Sequence, residues 1–348
     1  MNVKIFSILS DSAPDLDGLE AGLFRGLNPG EMEAHGFVPH DGSVLTTALD
    51  AYTYALCFRQ DKIDLPRETL AREVEARILD EAPDRIISRS RRAEIQEAAR
   101  FDLSQRALPR TKTVWATLCD SSLYVFTGST SLAEALVTSF ERTTGASTRP
   151  NGILERCFGR LEEALSIPLS SLLLPDTARL GVDRRALAND AYEAAKALQH
   201  LGPLATLWLM YQPNTAAAPL VEGFVKKVDF TGEVKSSMRS ENPQFSPEAL
   251  SAVAAGRLPS KVTMVLKTED TDMSWEVTVN TDGFVLEKVV PLLKPPPGQD
   301  EHPLELLLVD HLEVERVDNL LAQTFGHFLD RALTLQVIAD VKAGITRD

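Results

Sequence analysis

The sequence predicts an α+β protein in which mixed sheets carry an inserted antiparallel pair of helices. Three observations carry this. Apolar runs of strand length recur near both ends of the chain. Between the early ones lie two segments, spanning 65–108, whose apolar residues repeat at helical spacing. Turn-forming clusters separate these segments, as at Asn28-Pro29-Gly30 and in KPPPGQDEHP at 294–303. The expected organisation is an N-terminal α/β core at 1–64 and 113–150 and a helical arm with its tip at 65–112. A mostly helical middle region at 151–232 and a C-terminal α/β region at 233–348 follow.

In chain order, a strand falls at 3–9, and a short helix broken by Gly22 and Gly26 at 18–32. Gly36-Phe37-Val38-Pro39 leads into a polar loop, and AYTYALCFR at 51–59 reads as a strand. Leu65-Pro66 opens a helix where proline is tolerated, with Leu70, Val74 and Ile78 as its seam, and Pro83 breaks it. After the second arm helix, strands at 114–119 and 122–126 form a hairpin around Asp120-Ser121. A helix at 131–143 has Ser131 as N-cap and Glu134 in the capping-box position. Helices at 151–174 and 184–201 precede LATLWLMY at 204–211, which is apolar enough to be buried on both sides. Strands at 224–238 and 261–267 flank a helix at 247–255, and strands at 274–279 and 284–291 pair as a hairpin. A long helical region occupies 304–345, and Trp115, Trp208 and Trp275 are expected in the core.

The second arm helix, from Ser88 to Leu108, is the one stretch where arginine is dense and acid thin. Ile95, Ala98, Ala99 and Leu103 recur at helical spacing and are expected to share an apolar face. Arg85, Arg89, Arg92, Gln96 and Arg100, stepping by four, three, four and four, form a stripe beside it, while Glu94 and Glu97 point elsewhere. Leu108-Pro109 stops the helix, because proline lacks an N–H and restricts the residue before it. Arg106, Arg110 and Lys112 carry the positive charge past the stop. Such a run is commonly a solvated face, but its segregation by sign points to a surface that meets an anion.

The whole chain is acidic, with a formal net charge of −14 over 348 residues, so polyanion binding would be confined to a local basic patch. No apolar run approaches the ~20 residues that span a bilayer, and no membrane partner is expected. Cys57, Cys119 and Cys157 are isolated from one another and odd in number, which fits reduced thiols in a cytoplasmic protein. The six histidines are scattered without the i, i+4 spacing of a helical metal site, and His35 and His40 fall in a loop. GxSxG, GxGxxG and the phosphate-binding loop motif are all absent. Asp270 and Asp272 imitate a metal-binding pair but read as a turn between strands. No catalytic residue, metal or cofactor is expected.

The order of elements resembles the recombination-associated RdgC family. The resemblance rests on Gly36-Phe37-Val38-Pro39, the arm from Pro66 to Leu108-Pro109-Arg110, and the strands and helix over 114–140. It also rests on FSPEALSAVAAGRLPSKVTMVL at 245–266, the hairpin at 275–290 and the terminal helix near 317–333. It implies a non-enzymatic, sequence-nonspecific double-stranded DNA-binding protein, with a horseshoe-shaped protomer closing into a homodimeric ring around duplex DNA. Such a protein would be cytoplasmic and nucleoid-associated, and would limit recombinase access indirectly, through shared DNA. The implied DNA-binding set is the arm residues Arg85, Arg89, Arg92, Arg100, Arg106, Arg110 and Lys112 with Lys226, Lys227, Lys235 and Arg239. After Leu-Pro-Arg the family continues with small and aromatic residues at the arm tip, where this chain has Thr111-Lys112-Thr113. The chain is also longer than the family around 153–232. The alternatives are a metal-dependent DNA exonuclease and a protein-interaction module that has lost DNA binding.

Overall fold

The structure, a computed structural model, describes residues 1–9, 14–40, 45–81, 87–153, 202–203, 205–211, 220–230, 236–239, 242–255, 257–268, 273–281, 284–292 and 302–333. The expected helices at 151–174 and 184–201 fall almost wholly outside these residues, as do Cys157, Asp270 and Asp272. The chain forms two compact units, one of residues 8–148 and one of 1–7 with 149–348. Strands β1 (Lys4–Ile8) and β7 (Thr148–Pro150) fall at the two passages between them.

The unit of residues 8–148 is built on an antiparallel sheet. Its long strand β4 (Thr53–Lys62) pairs with β2 (Glu33–Phe37), β3 (Thr46–Ala48) and β5 (Arg110–Cys119), and β5 pairs in turn with β6 (Ser122–Val125). The β5–β6 turn is the expected Asp120-Ser121, with Asp120 at φ 49° in the left-handed region that a two-residue hairpin requires. The helix at 18–32 is a single 3-10 segment, Asp17–Gly22, since the glycines and Asn28-Pro29 leave no room for a longer one.

Between β4 and β5 the chain makes the arm, α1 (Arg67–Glu81) and α2 (Arg89–Arg106). Ser88 caps α2 by accepting the Arg91 backbone N–H at 3.2 Å. The seam is Val74, Ile95 and Ala99, flanked by Leu70, Ile78 and Ile87. Ala98 does not join it: it is exposed, because α2 packs along one narrow seam on a single partner helix. Leu103 is only half-buried.

Thr111 and Lys112 are not at the arm tip. They sit in β5, opposite Asp61 and Gln60 of β4, because a helical hairpin returns the chain to where it left the sheet. In α3 (Thr130–Thr144) the N-cap is Ser129, whose hydroxyl accepts from Leu132 at 3.4 Å, rather than Ser131. Gly145, at φ 70°, ends that helix in the left-handed conformation.

In the other unit a five-stranded antiparallel sheet runs in the order β12-β11-β10-β8-β9. These are β8 (Leu220–Phe230), β9 (Ser236–Arg239), β10 (Pro259–Thr268), β11 (Ser274–Asn280) and β12 (Val285–Pro291), with α4 (Pro247–Ala254) between β9 and β10. The strand expected at 224–238 is thus two, β8 and β9, which pair with each other. Helix α5 (Pro303–Leu333) buries Leu307, Val314, Val317, Leu321, Phe325 and Phe328 at helical spacing. Segment 205–211 is helical and buried throughout, and Trp208 meets Phe328 at 6.0 Å between ring centroids. Trp208 and Trp275 lie in the core and the Trp275 indole N–H donates to the Glu313 carboxylate, but Trp115 is only half-buried, against His40.

Candidate nucleic-acid interface

Helix α2 has five arginines, and the structure divides them. Arg91 is held on the acidic side, its guanidinium donating to Glu81 of α1 at 2.7 and 3.0 Å and to Glu94 at 2.7 Å. Those two carboxylates push its pKa up, and Arg91 in turn holds the Glu81 carboxyl below its usual range. Arg77 of α1 does the reverse service, joining Glu73 and Asp102 at 2.8 Å each. The two pairs across the helices, Arg91–Glu81 and Arg77–Asp102, brace the arm on the side away from the stripe.

Arg89, Arg92 and Arg100 are exposed and have no ion pair among the described residues. The helical repeat alone separates them from the acids: stepping by three and eight residues keeps the three within one narrow sector of the wheel. Arg106 is exposed in the last turn, where the free carbonyls favour a cation. The second half of α2 is also fixed to the body of its unit. The Phe101 ring lies over Gly30, where a Cβ would come within 2.7 Å of it, and Gly30 is at φ +88°. Only glycine serves there on both counts. The stripe is thus carried on a braced helix.

Arg110 and Lys112 are exposed on β5, on the same side of the strand, two residues apart. Arg85 and Lys235 lie outside the described residues. In the other unit Lys226 and Lys227 are compensated: Lys226 meets Glu276 at 2.7 Å and Lys227 meets Asp229 at 2.6 Å. Glu276 also meets Lys288 at 3.3 Å, and the bond from Lys226 is the main cause of its lowered pKa. Arg239 is exposed on β9, without an ion pair among the described residues.

Sequence reasoning had no place for Arg77 and Arg91 as braces. The Arg91–Glu94 spacing was legible, but the partners on the facing helix were not. Among the described residues no three His, Cys, Asp or Glu side chains are grouped so as to hold a metal ion. None of their helices is long and apolar enough to cross a membrane. Cys57 is buried, and burial pushes its thiol up to about 11.

Residues 1–150 match the model of the RdgC family, whose description is "Putative exonuclease, RdgC". Over those residues the chain is similar to the RdgC family. The match takes in all of the arm and the sheet that carries it. No curated protein matches the chain.

Proposed function

We propose that this chain binds duplex DNA without reading its sequence, by contacts to the phosphate backbone, and acts as a dimer in recombination by limiting recombinase access. The observation that carries the reading is the division of the α2 arginines. Arg91 is neutralised by two carboxylates, while Arg89, Arg92 and Arg100, exposed on one flank of a braced helix, have no ion pair among the described residues. On a chain of net charge −14, such a stripe gives a polyanion a place to bind. The RdgC match over the same residues supports that partner, and the ring is the assembly the family resemblance implies.

The test is a titration of random-sequence and shuffled duplexes at rising salt. Log affinity is expected to fall linearly with log salt, by about 0.9 per phosphate neutralised. Affinities are expected to be alike for the two sequence sets. A salt-insensitive or strongly sequence-selective curve overturns the reading, and sedimentation at micromolar concentration checks the dimer. The family description favours one other reading, an exonuclease. It requires that linear duplex shorten in the presence of Mg²⁺ and that Asp270→Asn or Asp272→Asn abolish the cleavage.

A further inference from the structure

Strand β4 ends in Arg59-Gln60-Asp61-Lys62, and the pleat of the sheet unmixes these charges. Alternate residues of a strand face opposite sides, so Arg59 and Asp61 share one side, Gln60 and Lys62 the other. On the first side the charges cancel. The Arg59 guanidinium donates twice to Asp61, at 2.8 and 2.7 Å, and the Thr111 hydroxyl donates to the same carboxylate at 2.8 Å. The Phe24 ring covers that guanidinium, 4.7 Å from its centroid. Arg59 is therefore neutralised within the fold.

The second side keeps a net positive charge, three cations to one acid. Register sets Lys62 opposite Arg110 and Gln60 opposite Lys112 on β5, and opposite Glu33 and His35 on β2. Directly opposed residues share a face, so six side chains form a patch two rows deep and three strands wide. Glu33 is its one acid: it accepts from Gln60 at 2.7 Å and lies 3.9 Å from Lys62. Arg110 and Lys112 have no ion pair among the described residues. Further along the same face Phe37 and Phe58 are fully buried, which anchors the patch on the core.

We infer that this strand patch, with Lys62, Arg110 and Lys112 as its cations, is a second phosphate-contacting surface in addition to the α2 stripe. The inference rests on the DNA-binding reading above. Cations on a sheet project side by side, about 4.8 Å apart across strands and about 6.8 Å apart along one. They do not converge, as a pocket for a single carboxylate would require, and so they suit an extended polyanion. The pairing of Asp61 with Arg59 is what makes β4 basic on this side.

The test compares the wild type with Lys62→Gln, Arg110→Gln and Lys112→Gln combined, titrating a random-sequence duplex from low to high salt. The slope of log affinity against log salt is expected to become shallower by about 2.7, that is 0.9 for each of three phosphates no longer neutralised. Lys62→Gln alone should give about 0.9. A wild type that binds, with an unchanged slope in the folded triple variant, overturns the inference and leaves the α2 stripe standing. A wild type that does not bind overturns the DNA-binding reading itself. Far-ultraviolet circular dichroism verifies folding, and Lys62→Gln, an exposed single change, decides the question by its own slope if the triple variant fails to fold.

Discussion

On α2, Arg89, Arg92 and Arg100 stand clear of every described acid; on the five-stranded sheet, Lys226, Lys227, Lys261 and Lys288 each meet a carboxylate. Both regions were expected to contribute cations to one DNA-binding set. They differ because a helix and a sheet sort charge differently. A helix gathers residues three and four apart, so a sequence with arginine at that spacing puts like charges together and its acids elsewhere. A sheet brings neighbouring strands into contact, and opposite charges there are favoured as pairs. Lys226, Lys261 and Lys288 tie strands of the sheet to one another, whereas Arg89, Arg92 and Arg100 of the arm have no ion pair among the described residues.

The strongest way to break the comparison is to remove the arm. Ile95→Asp puts a carboxylate into the seam with Val74 and Ala99, and burial of an unpaired charge is expected to cost about 3 kcal/mol or more. Helical circular dichroism should drop and duplex affinity fall sharply. Retained affinity would move the DNA surface away from α2.

Reversing the stripe tests charge without touching the seam. Arg89→Glu with Arg92→Glu should weaken duplex binding about 10- to 100-fold at moderate salt, by loss of two phosphate contacts and addition of repulsion. Unfolding free energy should change by no more than about 0.5 kcal/mol, since both sites are exposed. Unchanged affinity would make the stripe a solvated face.

The matching change in the sheet should do the opposite. Lys226→Gln with Lys227→Gln removes two paired cations, so affinity should move by less than about twofold. Denaturant melts should show a loss of about 1 kcal/mol or less, since both lysines are partly solvated. A large loss of binding here would erase the distinction between the two regions.

The smallest effect concerns Asp61. Hydrogen bonds from Arg59, its main cause, and from Thr111 hold its carboxyl below the ordinary range. The stabilisation is therefore complete above the unfolded value of ~3.9 and is lost as pH falls through the folded value. Asp61→Asn should lower stability near neutrality and flatten this part of the acid limb below about pH 4. Urea midpoints measured across that range in wild type and variant provide the check.

Much of this was legible in the sequence. The seam of Leu70, Val74, Ile78 and Ile95, the stop at Leu108-Pro109 and the turn at Asp120-Ser121 all follow from spacing or backbone chemistry within a few residues. The misreadings share a cause. Ala98 has a residue type that can be buried but no element to cover it, and Ser131 could cap a helix that Ser129 already caps two residues earlier. Thr111 was put at the arm tip by the family resemblance, from its place after Leu-Pro-Arg, whereas the return of the helical hairpin places it in a strand, hydrogen-bonded to Asp61.

The sequence by itself determined the local elements and the sign of each face of α2, because helical periodicity is a property of the chain alone. Only the tertiary structure decided which charges remain free. Arg91 was withdrawn by Glu81 on the facing helix, and Lys226 by Glu276 two strands away in the sheet. Pairing depends on distances of a few ångströms between residues far apart in the chain, and those distances exist only once helices have packed and strands have found their register.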